Sequence, residues 1–347
     1  MRNNKFIALL SEYFTSYLPD VKGLSPNSIT SYQYAFQLLF EYMQSKKGKP
    51  AEKVTFKCLD FETVTGYLAW LEAERGCSAA TRNFRRTALS SFAKFALKSS
   101  DGDALTFYSN MVSIPRKKVT KEAGVKYFTK DEIEILLATP DTKTPIGRRN
   151  SVLMSVLYAS GARAQELCDI TVNDVCWGAN TNIRLNGKGG KPRLVTLPEN
   201  CAKLLQSFII SRGLDRNSPQ DRLRHVFSSQ TREKMSVACV ESIVKKYVSQ
   251  AKAQHSNLFQ QKQYSPHSFR HSIAVHMLEC GESLIVIKSF LGHASITTTT
   301  VYASITPELA NKYLRERGVP IEAALSNTAH ADSSLPSTLS FLKAKRK

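Results

Sequence analysis

The sequence lacks long apolar runs, and this absence argues against a location in a membrane. No stretch approaches the ~18 consecutive apolar residues that a membrane-spanning helix requires. Residues 1–14 contain five apolar residues in a row before Ser11, which is too few for the apolar core of a secretion signal. We therefore expect a cytoplasmic protein without a membrane partner.

Paired cysteines are also lacking. The seven cysteines are scattered along the chain, and no two of them form a C-x-x-C pair. An odd, dispersed set argues against a disulfide framework and against a zinc knuckle. We interpret these cysteines as buried, reduced thiols.

Acidic residues are scarce relative to basic ones. The chain has 48 Lys and Arg against 29 Asp and Glu, a formal net charge of +19. An excess of this size favours a polyanionic partner such as nucleic acid, although charge by itself reports non-specific attraction. The length of 347 residues and an apolar fraction of 42% fit two globular domains, each with its own core.

Helical patterns fill residues 1–114. Ser25 before Pro26 predicts the start of one helix, and Ser78 predicts the start of another. Apolar residues at steps of three and four predict a small bundle of three or four helices. Residues 115–126 are basic and have no apolar period, so we predict an exposed linker there.

A second domain is predicted over residues 127–318. Thr129 and Glu132 have the spacing of a capping box at its first helix. Two short strands flank the glycine-rich residues 186–190, which predicts an antiparallel hairpin in otherwise helical sequence. The fold class is therefore mainly α with a small antiparallel β-sheet, and residues 319–347 form a tail.

The string SPHSFRHSIAVH (265–276) places His267 and His271 four residues apart, on one face of a helix. The zinc protease pattern with this spacing needs Glu directly after the first histidine, where this chain has Ser268. Arg270 lies between the two histidines and would repel a dication, which argues against a metal site, and the choice between a metal site and a phosphate site stays open at this point. We interpret His276 as a structural histidine, and His271 is open to the same interpretation.

Several residues fit phosphoryl transfer without a metal, which needs fixed cations, a nucleophile and a proton donor for the leaving oxygen. Arg163 follows a glycine at a predicted helix start, where backbone amides favour anions. His267 and Arg270 lie three residues apart and so point the same way. Taken singly, each of these residues has an ordinary structural interpretation. The ordered set comprises Arg163, Glu166, Lys188, His267, Arg270, His293 and Tyr302.

This ordered set resembles the signature of the tyrosine recombinase (phage integrase) family. The strings GARAQEL, GKGGKPRLVTLP, PHSFRHSIAVHML and LGHASITTTTVYA are similar to the family's motifs in order and spacing. The resemblance covers residues 127–318. Residues 1–114 are similar to the family's SAM-like core-binding domain on helix pattern alone. Ala162 departs from the larger apolar residue that the family commonly has, which should affect packing only.

The resemblance implies site-specific recombination of DNA through a 3′-phosphotyrosyl intermediate, for integration, excision or resolution. Tyr302 would be the nucleophile, and Lys188 would protonate the leaving 5′-oxygen. The other catalytic residues it implies are Arg163, His267, Arg270 and His293, with Glu166 orienting its neighbours. No metal or other cofactor is implied. In the first domain, Arg82, Arg85 and Arg86 are candidate DNA contacts, and a solvated helix face is the alternative.

The implied partners are double-stranded DNA and further copies of the chain, four in the synaptic complex. The tail at 319–347 would dock on a neighbouring protomer, with a disordered tail whose basic end touches DNA as the alternative, and an accessory protein that biases direction is left open. Two alternative functions remain at this point. One is a type IB topoisomerase, which has the same chemistry but relaxes DNA, and the other is a DNA-binding protein without catalysis.

Overall fold

The structure is a computed structural model that describes residues 4–99, 101–119, 125–187, 192–293, 295 and 299–303. These residues are mainly helical with one small sheet, which confirms the predicted fold class. The chain divides into two compact units, residues 1–122 and 123–347. None of the described helices is long and apolar enough to cross a membrane.

Unit 1 is a bundle of α-helices. Its elements are α1 (Lys5–Glu12), a π-helical stretch (Tyr13–Val21), α2 (Pro26–Lys47), α3 (Phe61–Ala73), α4 (Ala79–Ala96) and α5 (Gly102–Ser113). Ser25 and Ser78 cap α2 and α4 through their side chains, as predicted. The bundle has five α-helices rather than three or four. Its core is rich in aromatic rings, with Phe92 in edge contact with Phe6 and Phe36.

Unit 2 carries the remaining elements. They are α6 (Lys130–Ala138), α7 (Pro145–Ser160), α8 (Ala164–Asp169), β1 (Val175–Cys176), β2 (Asn182–Asn186), β3 (Pro192–Thr196), α9 (Glu199–Ser211), α10 (Val237–Gln254), α11 (Pro266–Glu279), α12 (Leu284–Leu291) and α13 (Thr300–Ala303). The predicted capping box is present at α6, where Thr129 and Glu132 bond each other's backbone amides.

The predicted hairpin is confirmed as β2 paired antiparallel with β3. The register runs from Asn182 opposite Thr196 to Asn186 opposite Pro192. The structure adds β1 on the far side of β2. A strand of two residues is too short to show a period of two in its sequence, so this pattern could not predict it.

A break between α7 and α8 positions the first arginine of the ordered set. Gly161 ends α7 in the left-handed conformation, with φ of 57°. A Cβ at this position would lie 2.9 Å from Cδ2 of Leu291, so the packing as well as the dihedral angle favours glycine. Arg163 then caps the N-terminus of α8 with extended backbone.

All seven cysteines are free in the structure. Their predicted burial holds only for Cys168 and Cys201. Cys176 and Cys280 are exposed, and the other three are half-buried. The reduced state stays a prediction, and the scattered spacing could not indicate the exposure of each side chain.

Candidate active site

Arg270 is a fixed cation in the interior of unit 2. It lies on α11, and its side chain is fully buried. One terminal nitrogen, Nη1, donates to the carbonyl oxygen of Gly161 at 2.6 Å, and Nη2 donates to that of Leu291 at 2.6 Å. Burial, followed by the charge of Arg163, lowers the pKa of Arg270 to about 9, so the side chain stays protonated at neutral pH. Its Nε has no hydrogen-bond partner among the described residues.

Arg163 and Glu166 form an ion pair across the first turn of α8. Nη1 of Arg163 donates to Oε1 of Glu166 at 2.6 Å, and the backbone amide of Arg163 donates to Oε2 at 2.9 Å. The side chain of Glu166 is 4% exposed and that of Arg163 is 35% exposed. Glu166 therefore holds Arg163 from the protein side and leaves part of the guanidinium open to solvent.

Arg193 is a third arginine beside Glu166, and it is not among the residues predicted from the sequence. From β3 it donates to both carboxylate oxygens of Glu166, with Nη2 at 2.9 Å from Oε2 and Nη1 at 3.2 Å from Oε1. Its Nε donates to the carbonyl oxygen of Phe290 at 3.1 Å. Burial by itself would raise the pKa of Glu166, but the hydrogen bonds from Arg193 and Arg163 lower it. The only signal in the sequence was a position five residues after Lys188, which does not distinguish Arg193 from a surface arginine.

Three histidines line the same region in their neutral form. Partial removal from water and, after it, nearby charged groups lower the pKa of His271 to about 3 and that of His293 to about 4. The pKa of His267 is lowered by the same causes, although this side chain is exposed. His293 Nδ1 lies 3.0 Å from Oγ1 of Thr299. At neutral pH these rings supply hydrogen bonds rather than charge.

The hydroxyl of Tyr302 lies inside the site. The side chain, on α13, is 1% exposed, and its oxygen is 2.9 Å from Nδ1 of His271. Burial raises the pKa of Tyr302, and the charges of Arg270 and Arg163 oppose that rise. The phenol is therefore neutral at pH 7 and lies within the electrostatic reach of both arginines.

The two remaining histidine interpretations have different outcomes. His276 is buried, and its Nδ1 is 2.8 Å from the hydroxyl of Tyr158, which fits the predicted structural role. His271 instead contacts the hydroxyl of Tyr302, so its role follows from the role of Tyr302, and the structural interpretation of His271 stays open. Helical spacing could not show this, because Tyr302 comes 31 residues later in the chain.

The structure thus brings five of the six predicted catalytic residues together, with Arg163, His267, His293 and Tyr302 near Arg270. The charges of Arg163 and Arg270 influence the pKa values of His267, His293 and Tyr302. Lys188, the sixth, lies outside the described residues. Two cations, neutral hydrogen-bonding rings and a buried phenol suit attack on a phosphodiester, whose charge the arginines can neutralise. Among the described residues, no cluster of His, Cys, Asp and Glu could hold a metal ion.

The three arginines of unit 1 that are candidate DNA contacts bond to their own unit. Arg86 Nε donates to the carbonyl oxygen of Ile114 at 2.7 Å, and Arg85 Nη1 donates to that of Ser31 at 2.8 Å. Arg82 also donates to a backbone carbonyl. All three side chains are half-buried, which gives each a structural role, and DNA contact by them stays a prediction.

Two family models match the chain. The model described as "Phage integrase family" matches residues 126–308, and the model described as "Phage integrase, N-terminal SAM-like domain" matches residues 12–100. The first match covers more than half of the chain and contains every residue of the ordered set.

Curated relatives are similar over nearly the whole length. A protein named "Putative integrase/recombinase y4rC" from Sinorhizobium fredii is 29% identical over 322 residues, covering 92% of this chain and 91% of its own. "Tyrosine recombinase XerA" from Pyrococcus horikoshii is 30% identical over 308 residues, covering 88% and 90%.

A solved structure shares the fold. The XerH site-specific recombinase bound to palindromic difH substrate, in a post-cleavage complex, aligns with a TM-score of 0.65. The alignment covers 93% of this chain and 90% of the XerH chain at 21% sequence identity.

Proposed function

Because this chain belongs to the phage integrase family, we propose that the residues around Arg270 are the active site of a site-specific tyrosine recombinase. The enzyme breaks and rejoins DNA. The observation that carries the assignment of the site is the burial of the Tyr302 hydroxyl, 2.9 Å from a neutral histidine and within the field of two arginines. A phenol in that setting can act as a nucleophile on a bound phosphate.

The proposed reaction exchanges one phosphodiester for another. The oxygen of Tyr302 attacks the scissile phosphorus, its proton passes to Nδ1 of His271, and the bond from phosphorus to the 5′-oxygen breaks. The products are a 3′-phosphotyrosyl link and a 5′-hydroxyl, whose proton comes from Lys188. A 5′-hydroxyl from a partner strand then attacks the phosphotyrosine and gives its proton to Lys188, and the released Tyr302 regains its proton from His271. Bond energy is conserved, so the chemistry needs no nucleotide cofactor and no metal.

Arg163 and Arg270 have different roles in this reaction. The partly exposed guanidinium of Arg163 can present two parallel donors to the non-bridging oxygens. Arg270 supplies a cation that cannot move, since two carbonyl oxygens hold it. Donors held in place before the reaction stabilise developing charge without reorganisation.

The neutral histidines complete the site. His267 is exposed on α11 beside Arg270 and is available to a phosphate oxygen. His293 is anchored by Thr299 and follows directly after the end of α12. Both supply hydrogen bonds to the reacting phosphate in this proposal, and Glu166 orients Arg163.

Double-stranded DNA is the proposed partner, which the net charge of +19 supports. The solved XerH complex is that of a recombinase bound to difH substrate. We further propose that the protein acts in the cytoplasm, as a tetramer on two DNA sites, with residues 1–114 as a core-binding domain and 127–318 as the catalytic domain. Whether an accessory protein sets the direction of recombination is left open in this proposal. The tail at 319–347 lies outside the described residues, and its docking on a neighbouring protomer stays a prediction.

A covalent adduct tests the proposed nucleophile. A DNA site is first selected from a randomised duplex pool by binding to the purified protein, and a nicked duplex carrying that site is then incubated with each variant. Tyr302→Phe should bind this duplex as the wild type does but form no SDS-resistant adduct. Tyr158→Phe is the matched control, since it also removes a half-buried tyrosine–histidine hydrogen bond but lies outside the proposed site. A full adduct with Tyr302→Phe would refute the assignment.

Strand exchange separates a recombinase from a topoisomerase. Two duplexes that carry the selected site and different labels are mixed with the wild-type protein. A recombinase yields products that carry both labels, whereas an enzyme that only relaxes DNA reseals each duplex to itself.

A further inference from the structure

Three arginines and one carboxylate are joined in unit 2. Arg163 and Arg193 both donate to Glu166, and Arg193 and Arg270 both donate to the C-terminal end of α12. Three guanidinium charges and one carboxylate charge leave a formal charge of +2 in this group. A phosphodiester with a single negative charge would therefore meet a net positive site.

Glu166 competes with the phosphate for Arg163. Its side chain is 4% exposed, and opposite charges removed from water attract each other more strongly than charges at the surface. A carboxylate with Arg163 as its only partner would hold that guanidinium tightly and cancel its charge. The same donors would then be less available to a phosphate oxygen.

Arg193 changes this competition. It contacts both oxygens of Glu166, at 2.9 Å and 3.2 Å, whereas the side chain of Arg163 contacts one oxygen. The side chain of Arg193 is 12% exposed, so water screens this pair little. Both oxygens of the carboxylate thus already have a cationic partner from the β3 side.

We propose that Arg193 is a positioning residue for strand cleavage, which occupies Glu166 and so keeps the guanidinium of Arg163 available to the scissile phosphate. This inference rests on the proposed function. It differs from an ordinary packing role in one respect. If Arg193 is lost, cleavage should slow because the unpaired negative charge of Glu166 then binds Arg163 more tightly.

A packing role for Arg193 is the alternative that the test must separate. Its Nε donates to the carbonyl oxygen of Phe290, next to the carbonyl of Leu291 that Arg270 holds. Loss of Arg193 could therefore also disturb the end of α12, which precedes His293. Such a disturbance would not depend on the charge of residue 166.

The test combines Arg193→Met with Glu166→Gln. Glutamine keeps the carbonyl oxygen that accepts from the backbone amide of Arg163, as Gln serves in a capping box, but removes the negative charge. Single-turnover cleavage is measured on the nicked duplex described above, together with duplex binding. Arg193→Met should slow cleavage at least about tenfold with little change in duplex binding. Adding Glu166→Gln should restore cleavage severalfold.

Arg184→Met is the matched control. Arg184 lies on β2 and pairs with Asp174, with Nε 3.0 Å from Oδ1, so it is another arginine–carboxylate pair of the same sheet. It should leave cleavage unchanged. Melting of every variant is measured first, and if Arg193→Met does not fold, Arg193→Lys takes its place with the same requirement of rescue by Glu166→Gln.

The outcomes are distinct. Wild-type cleavage by Arg193→Met overturns the inference, and so does a double variant that cleaves no faster than the single one, which would indicate packing alone. A wild-type protein that forms no adduct with any selected duplex contradicts the proposed function instead. An Arg193 defect that Glu166→Gln relieves supports the inference.

Discussion

The hydroxyl of Tyr302 and Nδ1 of His271 are hydrogen-bonded at 2.9 Å, with the two rings in edge contact. His271 directly follows Arg270 on α11, so one helix carries both the buried cation of the proposed phosphate site and the group that touches the oxygen of the proposed nucleophile. Because the pKa of His271 is about 3, this ring is neutral and can accept the proton of the phenol in a hydrogen bond. The bond fixes the direction of that hydroxyl before DNA is bound.

The first prediction concerns this bond. His271→Phe keeps a ring of similar size but removes the acceptor, so cleavage should fall by about tenfold or more. His271→Gln keeps an acceptor and should lose less. Adduct formation on the nicked duplex measures both, with duplex binding as the control. Equal rates for the Phe variant and the wild type would show that the hydrogen bond has no part in cleavage.

The second prediction concerns the geometry of Arg163. Arg163→Lys keeps the charge but loses the planar pair of donors, so cleavage should fall by about 10²-fold or more. Duplex binding should change little, because one phosphate contact among many is altered. Arg148→Lys, at an exposed position on α7, is the control and should cleave normally. Normal cleavage by Arg163→Lys would contradict the bidentate clamp.

The third prediction concerns metal ions. The arginines supply the positive charge that a metal would otherwise supply, so adduct formation should continue in excess EDTA at an unchanged rate. The measurement is the time course of adduct formation with EDTA, with added Mg²⁺ and with neither. Loss of activity in EDTA that Mg²⁺ reverses would show that the metal-free mechanism is wrong.

The fourth prediction concerns pH and stability. In the folded state the pKa values of His271 and His293 are about 3 and about 4, below the ordinary value of 6.5. At a pH between the folded-state pKa and 6.5, each of these histidines is protonated in the unfolded chain but not in the folded one. The free energy of unfolding of unit 2 should therefore fall as pH drops below about 6.5. Each histidine contributes at most about 1.4 kcal/mol per pH unit.

Urea unfolding at pH 7.5, 6 and 5 measures this slope. His293→Asn should reduce it, because one of the two strongly shifted groups is gone. His255→Gln, at an exposed position, is the control and should leave the slope unchanged. A free energy of unfolding that is constant across this range would contradict the neutral state of these buried rings.

The fifth prediction concerns the tail, whose apolar residues are Leu335, Leu339, Phe341 and Leu342. Exposed apolar clusters often mark partner sites, so deletion of residues 321–347 should spare binding to a single site but impair strand exchange. Band-shift and strand-exchange assays measure the two steps. Alanine at the basic residues of 343–347 should only weaken the salt dependence of binding. Strand exchange that fails with those alanines but survives Leu339→Asp would contradict docking.

The ordered set from Arg163 to Tyr302 is predicted from the order and spacing of its motifs and from the family resemblance, since each residue taken singly has an ordinary structural interpretation. Arg193 was not recognised, because its partners Glu166 and Phe290 are 27 and 97 residues away. No periodicity or capping rule reaches over such separations, and only the fold brings these groups together. The same reason explains why His271 was open to a structural interpretation.

Among the described residues, the Nε of Arg270 has no hydrogen-bond partner. A buried N–H without an acceptor costs about 1–3 kcal/mol, and a phosphate oxygen placed beside it would recover that cost. A ligand that binds only the folded state raises the melting temperature by an amount that grows with the logarithm of its concentration divided by its Kd. Duplexes that seat a phosphate at Arg270 should therefore protect unit 2 from heat more than duplexes held by surface charge alone. The melting temperature of the protein, measured with each duplex of a panel, would then rank the duplexes and identify the natural recombination site.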